Sequence, residues 1–173
     1  MFSGKVALVT GAAGNLGHGI VRSLLKTNAR VLAVDKDLAA LHNRYQNLLG
    51  IQSQAADLTN AAAVKTLLQE ATRVWNRLDI VINVAGGFRM GPLLHETTDA
   101  DWDGMLDLNT RTAFHVCREA IPYLLQQGNG KVINIAARAA LQVKPQMAAY
   151  CVSKAAVVTL TQALAEEYKQ RGI

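Results

Sequence analysis

The chain has 173 residues, half of them hydrophobic, 18% charged and only 5% aromatic, a balance that supports a buried core and excludes an extended disordered chain. Its formal charge of +5 comes from lysines and arginines spread along the sequence, without a basic run or interleaved aromatics, which argues against nucleic acid as a partner. No uninterrupted apolar run reaches the length of a membrane span, and no basic, apolar leader opens the chain, so no membrane partner is expected and the expected location is cytoplasmic.

Taken in chain order, short β-branched apolar segments alternate with longer helical patterns. A strand is expected over Val6–Thr10, a helix over 17–27, a strand over Arg30–Asp35, a helix over 38–46, a strand over 51–56 and a helix over 61–75. A strand over Ile80–Asn83, a long helix over 102–127, a strand over 131–135 and a final helix over 148–171 complete the pattern. Strands separated by helices must be parallel, and right-handed crossovers then wind a three-layer α/β sheet with the order 3-2-1-4-5, a Rossmann-type doubly wound fold. No repeat, low-complexity tract or linker composition divides the chain, so residues 1–173 read as one dinucleotide-binding domain. The closing Gln170-Arg171-Gly172-Ile173 has the look of a helix end leading into a further strand. The chain is accordingly expected to be the N-terminal part of a longer protein, with its fifth strand an apolar sheet edge.

Immediately after the first strand stands Thr10-Gly-Ala-Ala-Gly-Asn-Leu-Gly17, leading into an apolar-periodic helix. A glycine-rich strand-to-helix turn lets backbone approach a pyrophosphate, and the free N–H groups and positive dipole at the helix start favour the anion. Gly11, Gly14, Asn15, Leu16 and Gly17 are therefore candidate cofactor contacts. Asp35 closes the second strand, where a carboxylate can accept from the adenosine ribose hydroxyls and would repel a 2′-phosphate, which favours NAD over NADP. Lys36 follows directly and softens that discrimination. Asp57 with Leu58 after the third strand, and Asn83-Val-Ala85-Gly86-Gly87 after the fourth, lie at the carboxyl ends of strands, where open α/β sheets bind ligands. Each of these segments also suits an ordinary turn.

Cys117 and Cys151 fall in helical, apolar contexts without CxxC or histidine spacing, so buried free thiols are expected and neither a disulfide nor a metal site is.

Together these motifs resemble those of the short-chain dehydrogenase/reductase family. The resemblance is carried by Thr10-Gly11 with Gly17, Asp35, Asp57, Asn83-Val-Ala-Gly86, Asn109 in Leu106-Asp-Leu-Asn109, Val132-Ile-Asn134-Ile, and Tyr150 with Lys154. It implies a nicotinamide cofactor, hydride transfer to or from a small carbonyl or alcohol substrate, and a homodimer or homotetramer built through two long helices. It further implies that Tyr150 is the acid/base, that Lys154 lowers the phenol's pKa and bonds the nicotinamide ribose, and that Asn109 holds a water linking Lys154 to solvent.

Two positions depart from the family pattern. Asn15 stands where the middle glycine is usual, a tolerable change because asparagine enters left-handed backbone readily. Ala137, three residues beyond Asn134, stands where the family carries a catalytic serine. Either another donor or Tyr150 itself polarises the substrate, or the substrate needs no such donor, as in dihydropteridine-reductase-like relatives, or the site is a silent cofactor-binding module.

Overall fold

The computed structural model describes residues 2–173. Five parallel strands, β1 (Val6–Thr10), β2 (Arg30–Asp35), β3 (Ile51–Ala55), β4 (Ile80–Asn83) and β5 (Lys131–Asn134), form one sheet in the order β3-β2-β1-β4-β5. The helices are α1 (Asn15–Leu25), α2 (Leu38–Tyr45), α3 (Ala61–Trp75), α4 (Asp99–Leu106), α5 (Thr112–Gln126) and α6 (Ala148–Tyr168), with a π-helical turn, Asp107–Arg111, joining α4 to α5.

The alternation of side chains along a strand divides the core into two layers. From β1, Ala7 and Val9 face Val21 and Leu24 of α1 and Leu41 of α2, whereas Leu8 faces Leu67 and Leu68 of α3 and Val116, Ala120 and Leu124 of α5. Leu164 and Tyr168 of α6 pack against the second layer. Because the central strands are covered on both faces, their interiors are apolar, and β1 is buried at every residue. Each fully buried leucine or valine in these layers contributes roughly 1.5–3 kcal/mol.

The strand order is the expected one and element bounds differ by a few residues. α1 starts at Asn15, two residues ahead of its expected start, and α4 starts at Asp99, ahead of residue 102. The second difference has a visible cause: Thr98 caps the helix, accepting from the Asp101 amide at 3.1 Å while its hydroxyl donates to Asp101 Oδ2 at 2.8 Å. β3 and β5 each stop one residue short, and α6 ends at Tyr168 in a 3₁₀ turn closed by Gly172 at φ +83°. β5 has no strand partner on its outer edge among the described residues, and Ile133 is 46% exposed there.

One expectation about apolar segments is revised. By length and composition, residues Ala148–Arg171 could pass for a membrane span, with a mean hydropathy of 1.3 over their most apolar window. In the fold Cys151, Ser153, Lys154 and Val157 of this helix are buried, and 22% of that window is.

Candidate functional site

All the strands point their carboxyl ends the same way, and the chain reverses winding direction between β1 and β4, so a crevice opens where their following loops separate. There the structure has a cleft of about 430 Å³, lined by Gly11, Gly14, Asn15, Leu16 and Gly17, by Asp35 and Lys36, by Asp57, Leu58 and Thr59, and by Ala85 and Gly86. The sequence-derived candidates from four separate segments thus meet at one place.

The glycine-rich turn is held in shape from several directions. Gly11 has φ +61°, and a Cβ there would lie 2.8 Å from the Ala85 amide nitrogen. A Cβ on Gly17 would collide with the Gly11 carbonyl. Thr10 Oγ1 accepts from the amides of Val84 and Ala85 at 3.1 and 3.0 Å, pinning the loop after β4 to the end of β1. Beneath the turn, Tyr45 donates to the Ala12 carbonyl at 2.6 Å, and burial pushes its phenol up to about 12, so it serves as a permanent donor. Arg44 donates to Asn15 Oδ1 at 3.3 Å, so the residue at the usual middle-glycine position is used as an acceptor.

Asp35 accepts from the amides of Ala13 at 3.0 Å and Lys36 at 2.8 Å, which fixes its carboxylate at the rim of the cleft. Asp57 accepts from the hydroxyl and amide of Thr59 at 2.7 and 2.9 Å. Those bonds, with Lys36 nearby, hold its carboxyl below the usual range. Leu58 lines the cleft with a nearly buried side chain, and its carbonyl lies 3.1 Å from His115 Nδ1.

The second half of the site stands on α6. Lys154 is 6% exposed and donates to the Ile135 carbonyl at 2.9 Å; burial pulls its pKa down. One of its three ammonium donors is so occupied, leaving the others for a ligand. A Cβ on Gly86 would stand 3.2 Å from Lys154 Nζ and 2.7 Å from Asn109 Oδ1, so a small residue is needed where the cleft meets the lysine. Tyr150, one turn earlier, is half-buried with its ring edge-on to Phe88, the centroids 4.9 Å apart at 76°.

Two of the expected site residues make bonds that the sequence did not reveal, and Asn83 lies outside the cleft. Asn109, in the π-helical turn and 1% exposed, accepts from the Gly87 amide at 3.0 Å and donates to the Gly87 carbonyl at 3.1 Å and to Ser153 Oγ at 3.1 Å. Its side chain therefore clamps the loop after β4 to α6. Asn83 lies at the end of β4 with its side chain outside the cleft, donating to Asn134 Oδ1 at 2.8 Å and to Cys117 Sγ at 3.3 Å. The alternation along the strand turns it into the layer between β4, β5 and α5, where Asn134 continues the chain of bonds to Thr161. Burial pushes the Cys117 thiol up to about 11.

Sequence reasoning assigned no role to Phe88, Ser153, Tyr45 or Arg44. Ser153 lay inside the Tyr150–Lys154 motif, yet its hydroxyl, which donates to the Tyr150 carbonyl at 2.8 Å, gains meaning only from a partner 44 residues away.

The glycine cradle, the fixed carboxylate at the end of β2 and the lysine with free donors fit a nicotinamide dinucleotide. Among the described residues no cluster of histidine, cysteine and acidic side chains could hold a metal ion.

Comparison with known proteins agrees with this geometry. Residues 5–173 match the short chain dehydrogenase family. D-threitol dehydrogenase of Mycolicibacterium smegmatis is 34% identical over 174 residues, an alignment covering 98% of this chain and 66% of that protein. The 2,3-dihydro-2,3-dihydroxybenzoate dehydrogenase of Bacillus subtilis is 32% identical over the same shares of both chains. Among solved structures, an NAD⁺-bound xylitol dehydrogenase has a TM-score of 0.91 at 27% identity, over 99% of this chain and 68% of that one. The chain spans about two thirds of the length of each of these three proteins.

Proposed function

The chain belongs to the short-chain dehydrogenase/reductase family, and from that premise we propose that it serves an NAD-linked oxidoreductase acting on a small secondary alcohol or its carbonyl. The observation that carries this reading is the junction at Gly86, where the cleft lined by the glycine-rich turn and Asp35 meets the helix bearing Tyr150 and the buried Lys154.

The cofactor, when bound, accepts or donates the hydride. Gly11, Gly14 and Gly17 and the start of α1 would hold its pyrophosphate, Asp35 the adenosine ribose, Asp57 with Leu58 the adenine end, and Ala85 and Gly86 the path toward the nicotinamide. Asp35 accepts from the backbone amides of Ala13, Lys36 and Asp37 and keeps its charge at the cleft rim, where a 2′-phosphate would meet it, which supports NAD over NADP. Tyr150 gives its phenolic proton to the carbonyl oxygen in reduction and takes it back from the alcohol in oxidation. Lys154 places a positive charge one turn away, favouring the phenolate, and offers a donor to the nicotinamide ribose. The names of the relatives, a tetritol, a pentitol and a dihydrodiol dehydrogenase, support an alcohol or carbonyl substrate.

A second reading, cofactor binding without turnover, rests on Ala137, whose methyl offers no donor to a developing oxyanion. We also propose a cytoplasmic location, which two buried free thiols support, and a homodimer or homotetramer, which exposed Phe114 on α5 and Val152 on α6 support.

Tyr150→Phe in the full-length protein tests the leading reading. It should reduce kcat by about 100- to 10,000-fold while the NADH dissociation constant, followed by fluorescence, stays put. Retained turnover would remove Tyr150 from the chemistry.

A further inference from the structure

We propose that Phe88 is a specificity-determining residue, the floor of a substrate site that selects alcohols and ketones carrying an aryl group over linear polyols. The proposal rests on the oxidoreductase reading and on four observations around Tyr150.

Phe88 stands at a fixed position. It directly follows Gly87, whose amide and carbonyl are both bonded to Asn109 at 3.0 and 3.1 Å, so the loop that carries the ring is tied to the core of the molecule. The ring then lies edge-to-face with Tyr150, centroids 4.9 Å apart, the arrangement in which aromatic pairs attract.

The ring is also unspent. Phe88 remains 57% exposed despite that contact, so its apolar area is not accounted for by the core. Met90, Leu141 and Val143, on the same two loops that flank Tyr150, are 59%, 82% and 75% exposed. The loops are joined, because the Gly91 amide donates to the Gln146 carbonyl at 2.8 Å and Gln146 holds φ +61° to present it. A left-handed backbone at a residue other than glycine costs energy, so this link is maintained by its surroundings.

The two arginines of these loops are each paired locally. Arg89 is paired with Asp101 at 3.0 Å, and Arg138 donates to Gln142 at 2.7 Å. Both guanidinium groups thus have acceptors of their own, and apart from the exposed Lys144 the loops offer apolar surface at Phe88, Met90, Leu141 and Val143. A carbinol or ketone with an attached ring can lay that ring on Phe88 while its oxygen meets the Tyr150 phenol. A linear polyol has a hydroxyl on every carbon and would lose hydration against the same surface without gaining partners.

Calorimetry of the full-length protein with NAD⁺ present, using acetophenone and erythrulose as ketone probes, tests this without turnover. The wild type should bind acetophenone more tightly. Phe88→Ala should weaken acetophenone about tenfold and leave both erythrulose and NAD⁺ binding unchanged, and Phe88→Tyr should restore acetophenone. Tighter binding of erythrulose by the wild type, equal weakening of both probes in Phe88→Ala, or a lowered melting temperature with acetophenone binding unaltered would each overturn the proposal; the last would mean that further segments of the protein cover the ring. Failure of NAD⁺ itself to bind would sink the cofactor reading beneath it, whereas normal NAD⁺ binding with acetophenone indifferent to Phe88 overturns the specificity assignment alone.

Discussion

Ala137 lies in extended backbone, φ −152° and ψ 156°, between the end of β5 and the turn that leads toward α6. Nothing about that conformation requires alanine, so a serine can be introduced without backbone strain. If the site turns over with Tyr150 as its single oxygen-directed donor, Ala137→Ser adds a second. Removing one such donor from other enzymes costs on the order of 100- to 1,000-fold in kcat, and a fitted gain of about tenfold or more is expected here, read as kcat for carbonyl reduction at saturating NADH. An unchanged kcat would indicate that another group already fills the role. The absence of the hydroxyl was legible in the sequence because its place is fixed by Asn134 and Tyr150. The clamp made by Asn109, Gly87 and Ser153 was not, because spacing along a chain reveals motifs, whereas a bond between residues on a π-helical turn, a loop and another helix depends on packing.

At the scale of the element, the segment from Thr10 through α1 shows how much of the fold a short sequence can carry. The strand-turn-helix was readable from β-branched residues, glycines and helical periodicity in succession, since each obeys a local rule. The π-helical turn between α4 and α5 had no such signature; a single inserted residue shifts the helix face so that Asn109 points inward, and only the finished packing reveals it. Within α1 the two glycines separate a functional constraint from a conformational cost. Gly17 faces the Gly11 carbonyl and the Ala12 Cα, while Gly19 has open space around its missing Cβ. Gly17→Ala should therefore destabilise the protein by about 1–3 kcal/mol through overpacking and weaken NADH binding by opening the turn. Gly19→Ala should stabilise it by roughly 0.5–1 kcal/mol, the helix-propensity gain, with NADH binding retained. Paired denaturant melts and NADH titrations distinguish the two, and equal behaviour of both variants would contradict the cradle described above.

At the scale of the whole molecule, the two ends of the sheet divide their tasks. The carboxyl ends open into the cleft, and the amino ends are fastened by Asp79, a residue that no motif marked because two of its partners, Lys5 and Val6, come from a distant part of the chain. Asp79 is 3% exposed at the start of β4 and accepts from the Val6 amide at 2.9 Å, from Lys5 at 2.8 Å and from Arg77 at 2.7 and 2.8 Å. Its own amide donates to Val6 and its carbonyl accepts from Lys131, so β1, β4 and β5 are registered through one residue. Burial by itself would raise the carboxyl's pKa, but the bonds from Arg77, Lys5 and Val6 outweigh it and hold the value at about 2. Because the folded pKa lies below the unfolded one, the stabilisation is present in full above about pH 4 and is lost as pH falls toward 2, an amount of about 2 kcal/mol. Asp79→Asn keeps the shape but removes the charge and turns an amide toward the donors. At neutral pH it should be less stable than the wild type by roughly that amount, and the difference should shrink toward zero as both proteins are unfolded by denaturant at successively lower pH. A difference that stayed constant across that range would assign the role of Asp79 to packing instead of charge.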